Sequence, residues 1–111
     1  MSIASEDKIF NALAIRDTND HNSSASEDRW FIPKTVVVHN GLNQDVTCQV
    51  EGDIDDGFSN PLTVGDAFVI SASTDDYETL TDYFPFMRVV ATCSVSPTTG
   101  TLTAYIAKVS D

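Results

Sequence analysis

The chain has 111 residues, 41% apolar and 9% aromatic, enough for one globular domain with a single modest core and too rich for a disordered segment. Six basic residues stand against 17 acidic ones, a formal net charge of −11. That excess argues against nucleic acid and anionic membrane surfaces as partners, since both are bound through Lys and Arg.

The opening residues, MSIASEDKIFNALAIRD, carry acids where a signal peptide carries bases, and they lack a long apolar centre. No apolar run approaches the roughly 20 residues that span a bilayer. The expectation is a soluble protein made in the cytoplasm without an export signal of its own. KIFNALAIR (8–16) is apolar enough for a short helix or a strand, and RDTNDHNSSASEDR (16–29) is polar and turn-rich. Trp30, Phe31 and Ile32 then resume packing before Pro33. Residues 1–33 read as an extended N-terminal arm that wraps its own domain or reaches a neighbouring subunit, with 34–111 as the folded domain.

From residue 34 the apolar period is two, the mark of half-buried strands. KTVVVHN (34–40) ends in Asn40-Gly41, a strong turn pair. QDVTCQVEG (44–52) puts Val46, Cys48 and Val50 on one face, and the two runs are expected to form a hairpin. LTV (62–64) and AFVISAS (67–73) read as further strands. TDDYETLTDY (74–83) offers a capping pattern for one helical turn or a structured loop. PFMRVVATCSVS (85–96) places Met87, Val89, Ala91 and Cys93 together, and TLTAYIAKV (101–109) returns with Leu102, Ala104 and Ile106. The fold class is all-β: a small antiparallel β-sandwich, of jelly-roll or immunoglobulin type, with the extended N-terminal arm.

Chemistry is sparse. EGDIDDGFSN (51–60) resembles the start of a calcium loop, yet counting from Asp53 puts Gly57 and Val64 where ligands belong. Calcium or another cation on Asp53, Asp55 and Asp56 is the minor reading, and the acidic tip of a hairpin is the major one. His21 and His39 are the only histidines, with no GxSxG elbow or Cys-His signature beside them, so no enzyme and no cofactor are expected. Cys48 and Cys93 lie 45 positions apart on apolar strand phases. They suit two buried free thiols, or a disulfide between facing strands. Arg88, mid-strand beside Phe86, pairs with an acid or packs over an aromatic, and otherwise makes a contact between subunits. Tyr77, Tyr83, Phe84 and Phe86 close one end of the core or form a sugar-binding platform. Asn22-Ser23-Ser24 fits a glycosylation sequon, a motif common by chance. The acids are scattered along the chain and lysine is scarce, which favours a surface built for high salt over one that binds cations or basic partners. Such a fold should weaken in low salt.

The order of these segments resembles small β-sandwich virion proteins of tailed phages and haloarchaeal tailed viruses. The resemblance rests on Asn40, Leu42, Gln44 and Val46, then Gly52 and Asp56-Gly57, then Pro85, Met87, Arg88 and Val89, and finally Pro97, Thr98 and Gly100. It covers residues 16–108 and departs at Asp53, where the pattern has Ser. It implies a non-enzymatic, capsid-associated decoration, turret, adaptor or tail component in a virion assembled in the host cytoplasm. Partners would be copies of itself, trimer to hexamer, and other virion proteins such as the major capsid protein. Trp30, Phe31 and Arg88 are the candidate assembly contacts. The alternative is a carbohydrate-binding β-sandwich module with a structural calcium.

Overall fold

The computed structural model describes residues 3–27, 34–81 and 84–110, with backbone alone at 3–5, 109 and 110. Nine strands follow in chain order: β1 (Ile3–Leu13), β2 (His21–Asn22), β3 (Ser26–Glu27), β4 (Lys34–Asn40), β5 (Val46–Asp53), β6 (Leu62–Ile70), β7 (Thr74–Leu80), β8 (Phe86–Thr92) and β9 (Leu102–Ser110). One sheet has the order β1-β9-β4-β7, and the other β2-β8-β5-β6 with β3 also on β8. Every pairing is antiparallel. The chain passes between sheets at nearly every connection, which makes the sandwich a jelly roll.

The alternation read from the sequence is the alternation of burial. Val36 and Val38 of β4 and Leu102, Ala104 and Ile106 of β9 are fully buried from one sheet. Val46, Cys48 and Val50 of β5 and Met87, Val89 and Ala91 of β8 meet them from the other. Each large aliphatic side chain so removed from water contributes about 1.5–3 kcal/mol before the entropy of ordering is subtracted.

Three expectations change, and a fourth follows the first of its two alternatives. β4 and β5 are not a hairpin: the Asn40-Gly41 turn carries the chain from one sheet to the other, and β4 pairs with β7 and β9. TDDYETL is neither helical nor a loop but the edge strand β7, its backbone paired residue by residue with β4. Residues 62–70 form one strand, bent where Gly65 takes a φ of +68°. The described part of segment 1–33 wraps its own domain, adding β1 beside β9 and β2 and β3 beside β8. Ile9, Phe10 and Ile15 enter the core, so residue 33 does not divide core from arm.

Asn40 ties down one end of the sandwich. It is 2% exposed, its Nδ2 donating to the carbonyls of Ile70 (3.0 Å), Gln44 (3.1 Å) and Ser71 (3.2 Å), while its Oδ1 accepts from the Leu42 N–H (3.0 Å). Beside it the Gly41 N–H donates to the Thr101 carbonyl at 2.9 Å. Gly100 adopts φ +88° with its missing Cβ only 1.8 Å from the Gly41 carbonyl oxygen, so only glycine fits there. Asn43 completes the tie, its Oδ1 accepting from the Thr98 N–H at 2.9 Å.

Candidate interaction surfaces

The opposite end of the sandwich carries the acidic tip. β5 and β6 pair as a hairpin, and residues 54–61 form its loop. Asp53, 5% exposed, turns its carboxylate into that loop: Oδ1 accepts from the N–H of Ile54 (2.6 Å) and Asp55 (3.3 Å), and Oδ2 from the N–H of Asn60 (2.9 Å). Asp55 accepts from the Ser59 hydroxyl and N–H, which holds its carboxyl below the usual range. Asp56 stands exposed in the turn. These carboxylates cap backbone donors, as Asp does in tight loops. Among the described residues no three His, Cys, Asp or Glu side chains gather as a metal site. Beneath the tip lies a cleft of about 220 Å³ lined by Asp53, Ile54, Asp55, Ser59, Asn60, Leu62 and Phe84. Ile54 is 80% and Leu62 59% exposed at its rim.

Arg88 has both partners that its mid-strand position allowed. Its Nε and Nη2 donate to Glu51 Oε1 at 2.9 and 2.8 Å, and its guanidinium lies 4.3 Å from the centroid of the Phe58 ring. The loop carries Phe58, at φ +50°, back over the outer face of β8 to make this stack. Arg88 is thereby engaged within its own chain. Trp30 and Phe31 lie outside the described residues.

The three described aromatics, Tyr77, Phe84 and Phe86, do not share a platform. Phe84 packs against Gly52, where an added Cβ would come within 2.3 Å of the ring. Tyr77 is 66% exposed on the outer face of the other sheet, in one row with Val37 and Tyr105. Phe86 lies on β8, and Tyr83 is outside the described residues. Tyr77 is set apart from Phe84 and Phe86 for a topological reason: β7 and β8 belong to different sheets, so closeness in sequence becomes distance across the sandwich. On the Tyr77 face, His39 Nδ1 lies 3.1 Å from Asp75 Oδ1, its ring edge-on to Tyr105, and the Lys8 amine sits over the Tyr105 ring.

Two features draw on distant residues. The buried Ser26 hydroxyl donates to Asp7 Oδ2 at 2.6 Å, and Lys108 Nζ donates to the same oxygen at 3.0 Å and to the Glu27 carbonyl at 2.9 Å. This clasp joins β1 and β9 to β3 across the two sheets, and the Ser26 hydrogen bond leads in holding the Asp7 carboxyl below its usual range. Residue spacing gives no hint of it, because its members lie at 7, 26 and 108. Cys48 and Cys93 are both buried free thiols, the first of the two alternatives. Burial, aided by the neighbouring Cys93, pushes the Cys48 thiol up to about 12.

The sheet edges differ in form. β1 shifts register twice against β9, β2 and β3 are two residues each, and β6 shifts register opposite Cys48 and Val50. β7 alone keeps an unbroken seven-residue register, Lys34↔Leu80 to Asn40↔Thr74. The β1 and β3 edges are joined by the clasp and by the Ser24 N–H donating to the Ile9 carbonyl at 3.0 Å. On β7 the Tyr77 N–H donates to its own neighbour, Asp76 Oδ1, at 2.8 Å.

No protein-family model matches the sequence, and no curated protein is significantly similar to it. Solved structures do share its fold. The PBSX exported protein XepA superposes with a TM-score of 0.71 at 10% identity, over 96% of this chain and 36% of that one. A chain of the infectious bursal disease virus Gx strain gives 0.52 at 7% identity, over 97% and 32%. PirA gives 0.51 at 14% identity, over 95% and 83%. The chain thus spans about a third of the length of XepA and of the viral chain.

Proposed function

We propose that this chain is a non-enzymatic structural subunit of a virus particle, a homo-oligomer, trimer to hexamer, bound to other virion proteins such as the major capsid protein. Its place is the capsid surface, as decoration or turret, or the head-to-tail region of a halophilic tailed virus. The observation that carries this reading is the jelly-roll strand order, a layout that serves viral capsid domains, and the fold likeness to a chain of infectious bursal disease virus supports it. The side chains add to it. Asp53, Asp55, Glu51, Arg88 and the Asp7–Ser26–Lys108 clasp are all engaged in holding the chain's own loops and sheets together. Trp30 and Phe31 are assigned to the contacts between subunits, and Arg88 enters such a contact only as part of its stack with Phe58. The scattered acids suit molar salt, where screening falls to about 3 Å.

The test is light scattering on the full chain during size exclusion, in molar salt and across concentrations. Deleting the first 29 residues would remove three strands of the sandwich, so Trp30→Ser and Phe31→Ser are the variants to compare. A defined oligomer that the double variant dissociates supports the reading. A monomer at every concentration, together with absence from purified particles, would sink it.

A further inference from the structure

Backbone geometry singles out β7. Three of the sheet edges are blunted by bulges, by two-residue strands or by links between the sheets, devices that stop a sheet from recruiting another strand. β7 keeps an unbroken ladder instead, and its guard is the charge of Asp75, Asp76 and Glu78. The Tyr77 N–H bonds to the Asp76 side chain, so it points away from β4. The alternation of an antiparallel ladder then turns the backbone groups of Asp75 and Thr79 outward as well. Three residues in regular register thus turn their backbone groups outward, the Tyr77 N–H capped by Asp76 and the donors of Asp75 and Thr79 facing a further strand.

Charge decides which strand. TDDYETL holds Asp75, Asp76 and Glu78 and no cation. Asp76 and Glu78 pair with Val38 and Val36, whose side chains point into the core, so their carboxylates lie on the inner side of the edge. Tyr77 lies on the outer side, 66% exposed. A second copy of β7 would bring acids against acids. We propose that the β7 edge receives an extended strand from a partner protein, with basic residues toward Asp76 and Glu78 alternating with apolar residues toward Tyr77. The backbone ladder supplies affinity and the alternation supplies selectivity. This deepens the assembly reading and rests on it for the existence of a partner.

The test uses the full chain and two nine-residue peptides, one alternating Lys and Val, the other Glu and Val. At moderate salt the Lys-Val peptide should bind about tenfold tighter, the gap closing in molar salt as screening grows. Hydrogen exchange should slow on β7 and not on β1 or β6. Tyr77→Pro removes an outward donor without breaking a bond to β4 and should weaken binding about tenfold. Asp76→Asn with Glu78→Gln leaves the ladder whole and should abolish the preference between peptides, which keeps the test sound should the proline variant fold poorly. Equal binding of both peptides, protection on another edge, or self-pairing of the neutralised variant in place of peptide binding would overturn the inference. A failed peptide test beside an intact oligomer leaves the virion reading standing.

Discussion

Asn40→Ala should cost far more than an average polar truncation. The side chain is 2% exposed and makes four hydrogen bonds to the backbone of two connections. Its loss strands the Leu42 N–H and the Ile70 carbonyl, in residues 0% and 1% exposed, while Ser71 and Gln44 can turn to water. Each stranded buried group costs about 1–3 kcal/mol, so the sum is about 3 kcal/mol. For a chain of this size that lowers the melting temperature by about 12 °C. Urea titration at fixed molar salt should show the midpoint falling with the slope unchanged. Asn40→Asp separates the contributions, keeping the acceptor for Leu42 but facing a carboxylate to three carbonyls. It should be at least as damaging as alanine at neutral pH and recover in part on acidification, when the carboxyl can donate again. A loss under about 1 kcal/mol for Asn40→Ala would refute the role given to this residue.

Gly100→Ala should lose more than about 3 kcal/mol or fail to fold, because its φ of +88° is compounded by a backbone clash. Gly65→Ala, at φ +68° with open space around it, should lose only about 1 kcal/mol, and equal losses for the two would contradict the packing argument. Asp7 contributes stability that is present above its unfolded pKa of about 3.9 and lost as pH falls through its lower folded value. Asp7→Asn should therefore flatten the acid limb of melting temperature against pH, by less than about 1 kcal/mol for so exposed a carboxylate, and an unchanged limb would count against the clasp. Cys48 and Cys93 should resist a thiol reagent at mildly alkaline pH until the protein unfolds; prompt labelling of Cys48 in the native state would contradict its burial.

The strands that sequence made legible are those with one wet and one dry face. Val46, Cys48 and Val50, or Leu102, Ala104 and Ile106, announce a period of two because the core lies on one side only. TDDYETL announces nothing, since an edge strand keeps its alternate residues near water and its acids mimic a helix cap. β1 was ambiguous because its bulges let the adjacent Ile9 and Phe10 both reach the core, which breaks the period. Asn40-Gly41 was correctly a turn, but a turn does not state which sheet the next strand joins. EGDIDDGFSN was legible as a hairpin tip from its Asp and Gly content, whereas the direction of Asp53 into its own loop depends on where Asn60 returns. An acid or an aromatic for Arg88 was expected from its mid-strand position; that the aromatic is Phe58 was not legible, since Phe58 reaches Arg88 only through the fold of the loop.

Each sheet takes an interior strand from the last quarter of the chain: β8 lies between β2 and β5, and β9 between β1 and β4. During synthesis, then, β1, β2 and β3 emerge with no partner to receive them. Until Phe86 and beyond are made, β4 can pair only with β7 and β5 only with β6. Two-stranded pieces of this kind are marginal in water. The nascent polypeptide must therefore wait, its valines and the Cys48 thiol uncovered, for a late and topologically slow closure. A chain waiting for Phe86 already holds every carboxylate but Asp111 and lacks the cations Arg88 and Lys108, so its net negative charge keeps such chains apart wherever salt is too dilute to screen it.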